Sequence, residues 1–226
     1  MLLINTAEGG VNGATVVAGD GGSGSAWTDA VVDTNRLTYS SDNVLHGNLA
    51  YKFNQNAATL GVGWNSLVLG TLTEHYGRFY ACVTGTPTAS NKFVRGAFGS
   101  QAFGINLGST ARIFIKNSGD TTIWQSSTVV TFNTWFRIEW HLVHNGASGT
   151  LEVRIFTDPE SVAYTETSGD ITSNYANGMS AIRYGPSNPT PAMPLFYMDE
   201  MGLADAATGW LGPTTANTAQ AWLFAA

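Results

Sequence analysis

A single cysteine, Cys82, stands in 226 residues, so neither an intramolecular disulfide nor a cysteine-based zinc site can form, and Cys82 is expected to be a small buried hydrophobe. Charge is scarce as well. Charged residues make up 12% of the chain, with ten Lys and Arg against sixteen Asp and Glu and a net charge of -6. No basic stripe is visible in the sequence, which argues against a nucleic-acid partner. No apolar run approaches the ~18 residues of a membrane span. The opening MLLINTAEGG has no basic leader region and soon reaches Asn and Glu, so it does not read as a signal peptide. The expectation is a chain made in the cytoplasm, with no membrane partner. Catalytic signatures are missing too: there is no G-x-S-x-G, no Walker-type glycine loop with lysine and no His-Glu-x-x-His stretch.

What is abundant is glycine and aromatic residues: Gly 26, Trp 7, Tyr 8 and Phe 11. That balance suits many strands joined by turns. A chain of this length can bury roughly 70% of the surface its unfolded form exposes. Period-two alternation recurs from residue 48 to 203, interrupted by Gly, Asn, Ser and Pro clusters. In NTWFRIEWHLVHNGASGTLEVRIF, Phe136, Ile138, Trp140 and Leu142 share one strand face, and Leu151, Val153 and Ile155 share one face of the next. The opposite face carries Arg137 and Glu139 across from Glu152 and Arg154, and is expected to be wet. Further strands are expected at NLAYKF, GVGWNSLVLG, YGRFYACVTG, NKFVRGAF, SQAFGINLG, ARIFIK and SAIRYG. Ten or more strands in one domain call for two packed antiparallel sheets.

The segments TWFRIEWHL, TLEVRIF, SAIRYGP, LFYMDEMGLAD and GWLGP together resemble the concanavalin A-like lectin/glucanase jelly roll, in the laminin-G-like form found in actinobacteria and their tailed bacteriophages. The opening NTAEGGVNGATV and HGNLAYKF are similar to the phage-associated form. The resemblance spans residues 5 to about 213 and implies an all-β, antiparallel two-sheet jelly-roll sandwich over 1–213, with 214–226 as a tail. It also implies a non-enzymatic virion protein of a tailed phage, either a capsid decoration or head fibre or a minor tail protein. Its partners would then be the major capsid or tail protein, further copies of itself, or a host-surface polysaccharide. The alternatives are a glycoside hydrolase or lyase of the same superfamily and a bacterial cell-surface glycan-binding module.

Specific residues sharpen these expectations. In LFYMDEMGLAD the apolar phase slips at Asp199 and Glu200, which predicts a β-bulge. Adjacent strand residues face opposite ways and do not reach the ~5 to 9 Å carboxyl separation that glycoside hydrolysis needs, so the pair reads as scaffold, with calcium at Asp199 as the alternative. The resemblance carries no Glu-x-Asp-x-Glu strand here, and Asp158 and Glu160 flank Pro159 in a turn. His141 and His144 fall on opposite strand faces. His46 precedes a glycine turn. Asp20 and Asp29 bracket an oxygen-rich loop lacking EF-hand spacing. No cofactor is expected, apart from the weak calcium alternative. Trp64, Tyr76, Tyr80 and Trp124 lie near strand ends or on mixed faces and are the candidate sugar-binding rings. Trp222, Leu223 and Phe224 close the chain as a candidate partner anchor.

Overall fold

A computed structural model describes residues 1–20, 24–31, 36–54, 61–186 and 193–214. The proposed anchor Trp222, Leu223 and Phe224 lies outside the described residues. Among those described, the first sheet contains β1 (Leu2–Asn5), β3 (Leu37–Ser40), β4 (Ala50–Phe53), β6 (Glu74–Val83), β11 (Trp135–Val143), β12 (Gly149–Phe156), β13 (Glu166–Thr167), β14 (Ile171–Ser173) and β16 (Phe196–Asp205). Its order is β13-β12-β11-β6-β16-β4-β3, with β1 also paired to β16 and β14 to β12. The second sheet runs β10 (Thr122–Val129), β9 (Arg112–Lys116), β8 (Ser100–Leu107), β7 (Asn91–Phe98), β15 (Ala181–Tyr184), β5 (Gly61–Trp64) and β2 (Asp29–Val31). All pairings among the described strands are antiparallel, and the architecture is the expected two-sheet jelly-roll sandwich.

The alternation read from the sequence builds the core. Phe136, Ile138, Trp140, Leu142, Leu151, Val153 and Ile155 are all buried, and the rings of Phe136 and Trp140 meet Phe93, Phe103 and Tyr184 of the second sheet. The strict period of two puts these side chains on one face. Room for the indole comes from Gly77 opposite it: a Cβ there would lie 1.9 Å from the Trp140 ring. In GVGWNSLVLG the strand ends at Trp64, earlier than the sequence implies. Asn65 accepts a hydrogen bond from Leu67 N at 3.1 Å and caps one helical turn, Ser66–Leu69.

The bulge predicted at Asp199 and Glu200 is present: the β16–β6 register shifts between Asp199 and Gly202, and Glu200 has φ 49. Asp199 is buried, accepting from Glu200 N at 2.9 Å and His46 N at 3.2 Å. Burial first, and the adjacent Glu200 charge second, push its carboxyl well above the usual range. Glu160 N donates to Asp158 Oδ1 at 3.1 Å, the local bond of a turn.

His141 and His144 point to opposite faces, as their spacing requires. His144 is buried rather than solvated, and its Nε2 lies 3.2 Å from His75 Nε2 in the core. Trp140 Nε1 donates to His75 Nδ1 at 3.4 Å, and His144 Nδ1 lies 2.7 Å from Tyr175 O. One arrangement satisfies every group: His75 carries its proton on Nε2 and gives it to His144 Nε2, while His144 Nδ1–H donates to the carbonyl. Burial holds both imidazoles below their ordinary range, His75 strongly, with the His144 and His141 charges adding to it. Their stabilising contribution is therefore complete above about pH 6.5 and is lost as pH falls from there towards the depressed folded values, at ~1.4 kcal/mol per unit of depression. Buried carboxylates act in the opposite sense, so the measurement compares wild type with His75→Phe/His144→Leu by urea unfolding at pH 7.5 and 5. The wild type should lose stability relative to the variant on acidification. A pH-independent difference would refute the neutral pair.

Candidate functional site on the outer face of the second sheet

The outer face of the second sheet gathers Lys92, Arg95, Arg112, Lys116 and Arg183, half of the chain's ten Lys and Arg. The basic stripe absent from the sequence is thus assembled by the fold. One row of register partners crosses all seven strands: Asp29 on β2, Gly63 on β5, Arg183 on β15, Arg95 on β7, Gly104 on β8, Lys116 on β9 and Thr122 on β10. Arg183 and Arg95 sit directly opposite each other, an arrangement that opposes folding because like charges on facing strands repel. The fold nevertheless keeps it. Arg95, Ala97, Ala181, Ile182 and Arg183 line a cavity of about 190 Å³, and Arg95 Nε is buried with no hydrogen-bond partner. On the β5 side the floor is bare: a Cβ on Gly63 would lie 1.8 Å from Ile182 O, so no side chain can rise there beside Arg183.

Beside the arginines, Lys92 on β7 and Lys116 on β9 converge over β8 on Asp120, at 3.1 and 3.4 Å. Gln101 Nε2 donates to the same carboxylate at 3.1 Å. Burial raises the Asp120 carboxyl, but the Lys92 and Gln101 hydrogen bonds and the lysine charges outweigh it and hold the group below the usual range. Asp120 occupies the turn between β9 and β10 with φ 58. The strands of this sheet contain no histidine, and their one tyrosine, Tyr184, faces the core. Chemically, such a face can attract an anion.

The rings singled out in the sequence do not gather. Trp64 is wholly buried, its ring against Trp27 and Tyr184 and its Nε1 donating to Ala26 O at 3.0 Å. Trp124, partly buried, packs against the core from β10. Tyr76 and Tyr80 lie on the outer face of the first sheet. Tyr76 stacks on His141 with centroids 4.2 Å apart, and Trp210 stands edge-on to both. Tyr80 is fully buried, and its hydroxyl accepts from Thr214 N at 2.8 Å. Arg95, Arg183, Lys92 and Lys116 were missed. Their signal is a cation at the outward phase of the strands NKFVRGAF, RIFIK and SAIRYG, in a chain with few cations.

The expectation that the Arg137–Glu139 face is wet is overturned. Both residues are buried, covered by the 159–161 loop: Arg137 donates to Pro159 O and, at 2.7 Å, to Ser161 O. Its guanidinium lies 3.8 Å over the Phe156 ring. Arg137 Nε is 2.8 Å from Glu139 Oε1, but the N–H is not aimed at the oxygen, so this is a charge contact rather than a hydrogen bond. Burial keeps the Glu139 carboxyl above its usual range despite the charges of Arg137 and Arg78. Among the described residues no group of three or more His, Cys, Asp or Glu could hold a metal ion.

No protein-family model matches the sequence, and no curated protein matches it significantly. Solved structures do share the fold. The alginate lyase Aly36B superposes with a TM-score of 0.56 at 12% identity, covering 91% of this chain and 97% of its own. The PL-14 alginate lyase of Aplysia kurodai does so with 0.50 at 10% identity, over 76% and 87%. Cellulose induced protein Cip1 gives 0.57 at 13% identity, over 78% and 87%. At such identities the likeness establishes the jelly-roll fold alone; it lends the virion expectation no support. It does correct the expectation that the chain is not an enzyme. That expectation rested on a missing carboxylate pair, and alginate lyases are built on this same sandwich. A carboxylate pair is what two-carboxylate glycoside hydrolysis requires; elimination from a uronate does not call for one.

Proposed function

We propose that this protein engages an acidic, uronate-bearing polysaccharide on the outer face of its second sheet, with Arg95 and Arg183 holding a sugar carboxylate between them. The observation that carries the reading is the directly opposed arginine pair over its cavity, with a buried and unsatisfied Arg95 Nε. A carboxylate placed there would turn a repulsive cross-strand pair into two charge-assisted contacts, and guanidinium matches carboxylate geometry. The alginate lyases among the fold neighbours are consistent with this substrate class.

A second reading, cleavage of the bound chain by elimination, draws on the same pair. Neutralising a uronate carboxylate lowers the cost of removing the proton beside it: solvent hydroxide would take that proton, the bond to the departing sugar oxygen would break as the ring double bond forms, and Lys92 or Lys116 would protonate the departing oxygen. The first test is affinity electrophoresis of the purified chain in gels containing polymannuronate or a neutral glucan. Retardation is expected with the acidic polymer alone, fading as salt rises from about 0.05 to 0.5 M because exposed charge contacts are screened. The appearance of ultraviolet-absorbing unsaturated uronate ends would establish elimination. Equal retardation by both polymers, or by neither, would overturn the binding reading.

A further inference from the structure

The lysine pair that straddles Gly104 repeats the logic of the arginine pair, except that its anion comes from the chain itself. Lys92 and Lys116 reach over Gly104 from both sides: a Cβ on that glycine would lie 3.7 Å from Lys92 Cε and 3.7 Å from Lys116 Cβ. Asp120, which binds both ammonium groups, has a side chain 54% exposed, whereas the lysines are 14% and 17% exposed. The carboxylate therefore lies on the cations from the solvent side, where another anion could replace it. Beneath it is an unmet polar group. Asn106 is 2% exposed and its Nδ2 donates to Ser90 Oγ at 3.0 Å, but its Oδ1 has no partner and points over the glycine, 3.2 Å from where a Cβ would stand. A buried acceptor without a donor is costly, and a carbonyl oxygen can be satisfied only by a donor. A sugar hydroxyl beside a lysine-bound carboxylate would be one.

We propose that Lys92, Lys116 and Asn106 form a second subsite for an acidic sugar residue, and that Asp120 occupies its anion position until a sugar carboxylate displaces it. This rests on the reading of the outer face as a uronate surface. The arginine position lies between β15 and β7 and the lysine position over β8, so the two are about one and a half strand spacings apart, roughly 7 Å. A polymer crossing the strands would present separate residues to the two pairs. Asp120 then acts as a selectivity filter: ligands too weakly charged to compete with it gain only the arginine site.

Asp120→Asn is the informative variant, because asparagine tolerates the left-handed backbone of the turn while losing the charge. In calorimetric titration of the full chain with a six-residue oligomannuronate at low salt, Asp120→Asn should bind about threefold or more tightly than wild type, with a slightly lowered melting temperature because the lysine and glutamine contacts to the charge are weakened. Adding Lys92→Ala and Lys116→Ala should abolish the gain. Unchanged or weaker binding by Asp120→Asn, while wild type binds, removes the second subsite and leaves the arginine reading intact. Binding by Asp120→Asn that persists when Arg95→Ala and Arg183→Ala are added supports the subsite independently of the arginines. If neither wild type nor Asp120→Asn binds the oligomer, both ideas fall.

Discussion

Replacing Arg95 and Arg183 together by alanine should weaken binding of an acidic polysaccharide by about 100-fold or more, while the melting temperature changes little. The binding loss follows from the two charge-assisted contacts that a carboxylate between the guanidiniums would make. Each is worth about 1.5–3 kcal/mol, and ~1.4 kcal/mol is a factor of ten. The stability change is small because relief of the repulsion between residues that face each other across β7 and β15 offsets the loss of Arg183's own contact. Few other surface substitutions combine a large functional loss with a neutral effect on folding. Titration with polymannuronate beside a thermal melt reads both quantities. A double variant that melts well below wild type would show the arginines to be structural, and one that binds normally would move the site elsewhere.

The second large effect concerns the opposite face. Arg137→Ala should destabilise the fold by about 3–5 kcal/mol, the usual result of leaving one buried charge without its partner. The substitution removes the contact with Glu139, the hydrogen bonds to Pro159 O and Ser161 O, and the guanidinium packed on Phe156. Glu139→Gln should cost far less. Burial already favours the neutral form of that carboxyl, and arginine keeps its two carbonyl acceptors. Denaturant unfolding of the two variants measures the contrast. Equal losses would mean that the Arg137–Glu139 contact, rather than the anchoring of the 159–161 loop, dominates.

The sandwich was legible because its signal is local. Alternation in WFRIEWHLV and TLEVRIF assigns the core face without reference to any distant residue, and the phase slip in LFYMDEMGLAD locates the bulge. The ionic faces were not legible, because they depend on register and cover, which bring together residues far apart in sequence. Arg95 and Arg183 are 88 positions apart and become neighbours only through the β7–β15 pairing. Arg137 reads as solvated until the 159–161 loop closes over it. Aromatic residues misled for a related reason: Trp64 ends a strand whose other residues are two glycines and a valine, which suggests exposure, yet with so little side chain around it the indole turns inward against Trp27.

The position of β16 also has a consequence during synthesis. This strand lies between β6 and β4 and pairs with β1 as well, so the centre of the first sheet is supplied by residues 196–205. Until those residues leave the ribosome, β6–β11–β12 and β3–β4 are separate half-sheets, each with an open edge where the last strand belongs. The second sheet waits likewise for β15 to join β7 to β5. Such sequence-distant closure makes for slow folding, on the order of milliseconds to seconds, and open edges invite pairing with other chains. A nascent chain stalled before residue 196 should therefore be a substrate for chaperones, whereas one released after residue 205 should close both sheets in a single cooperative step.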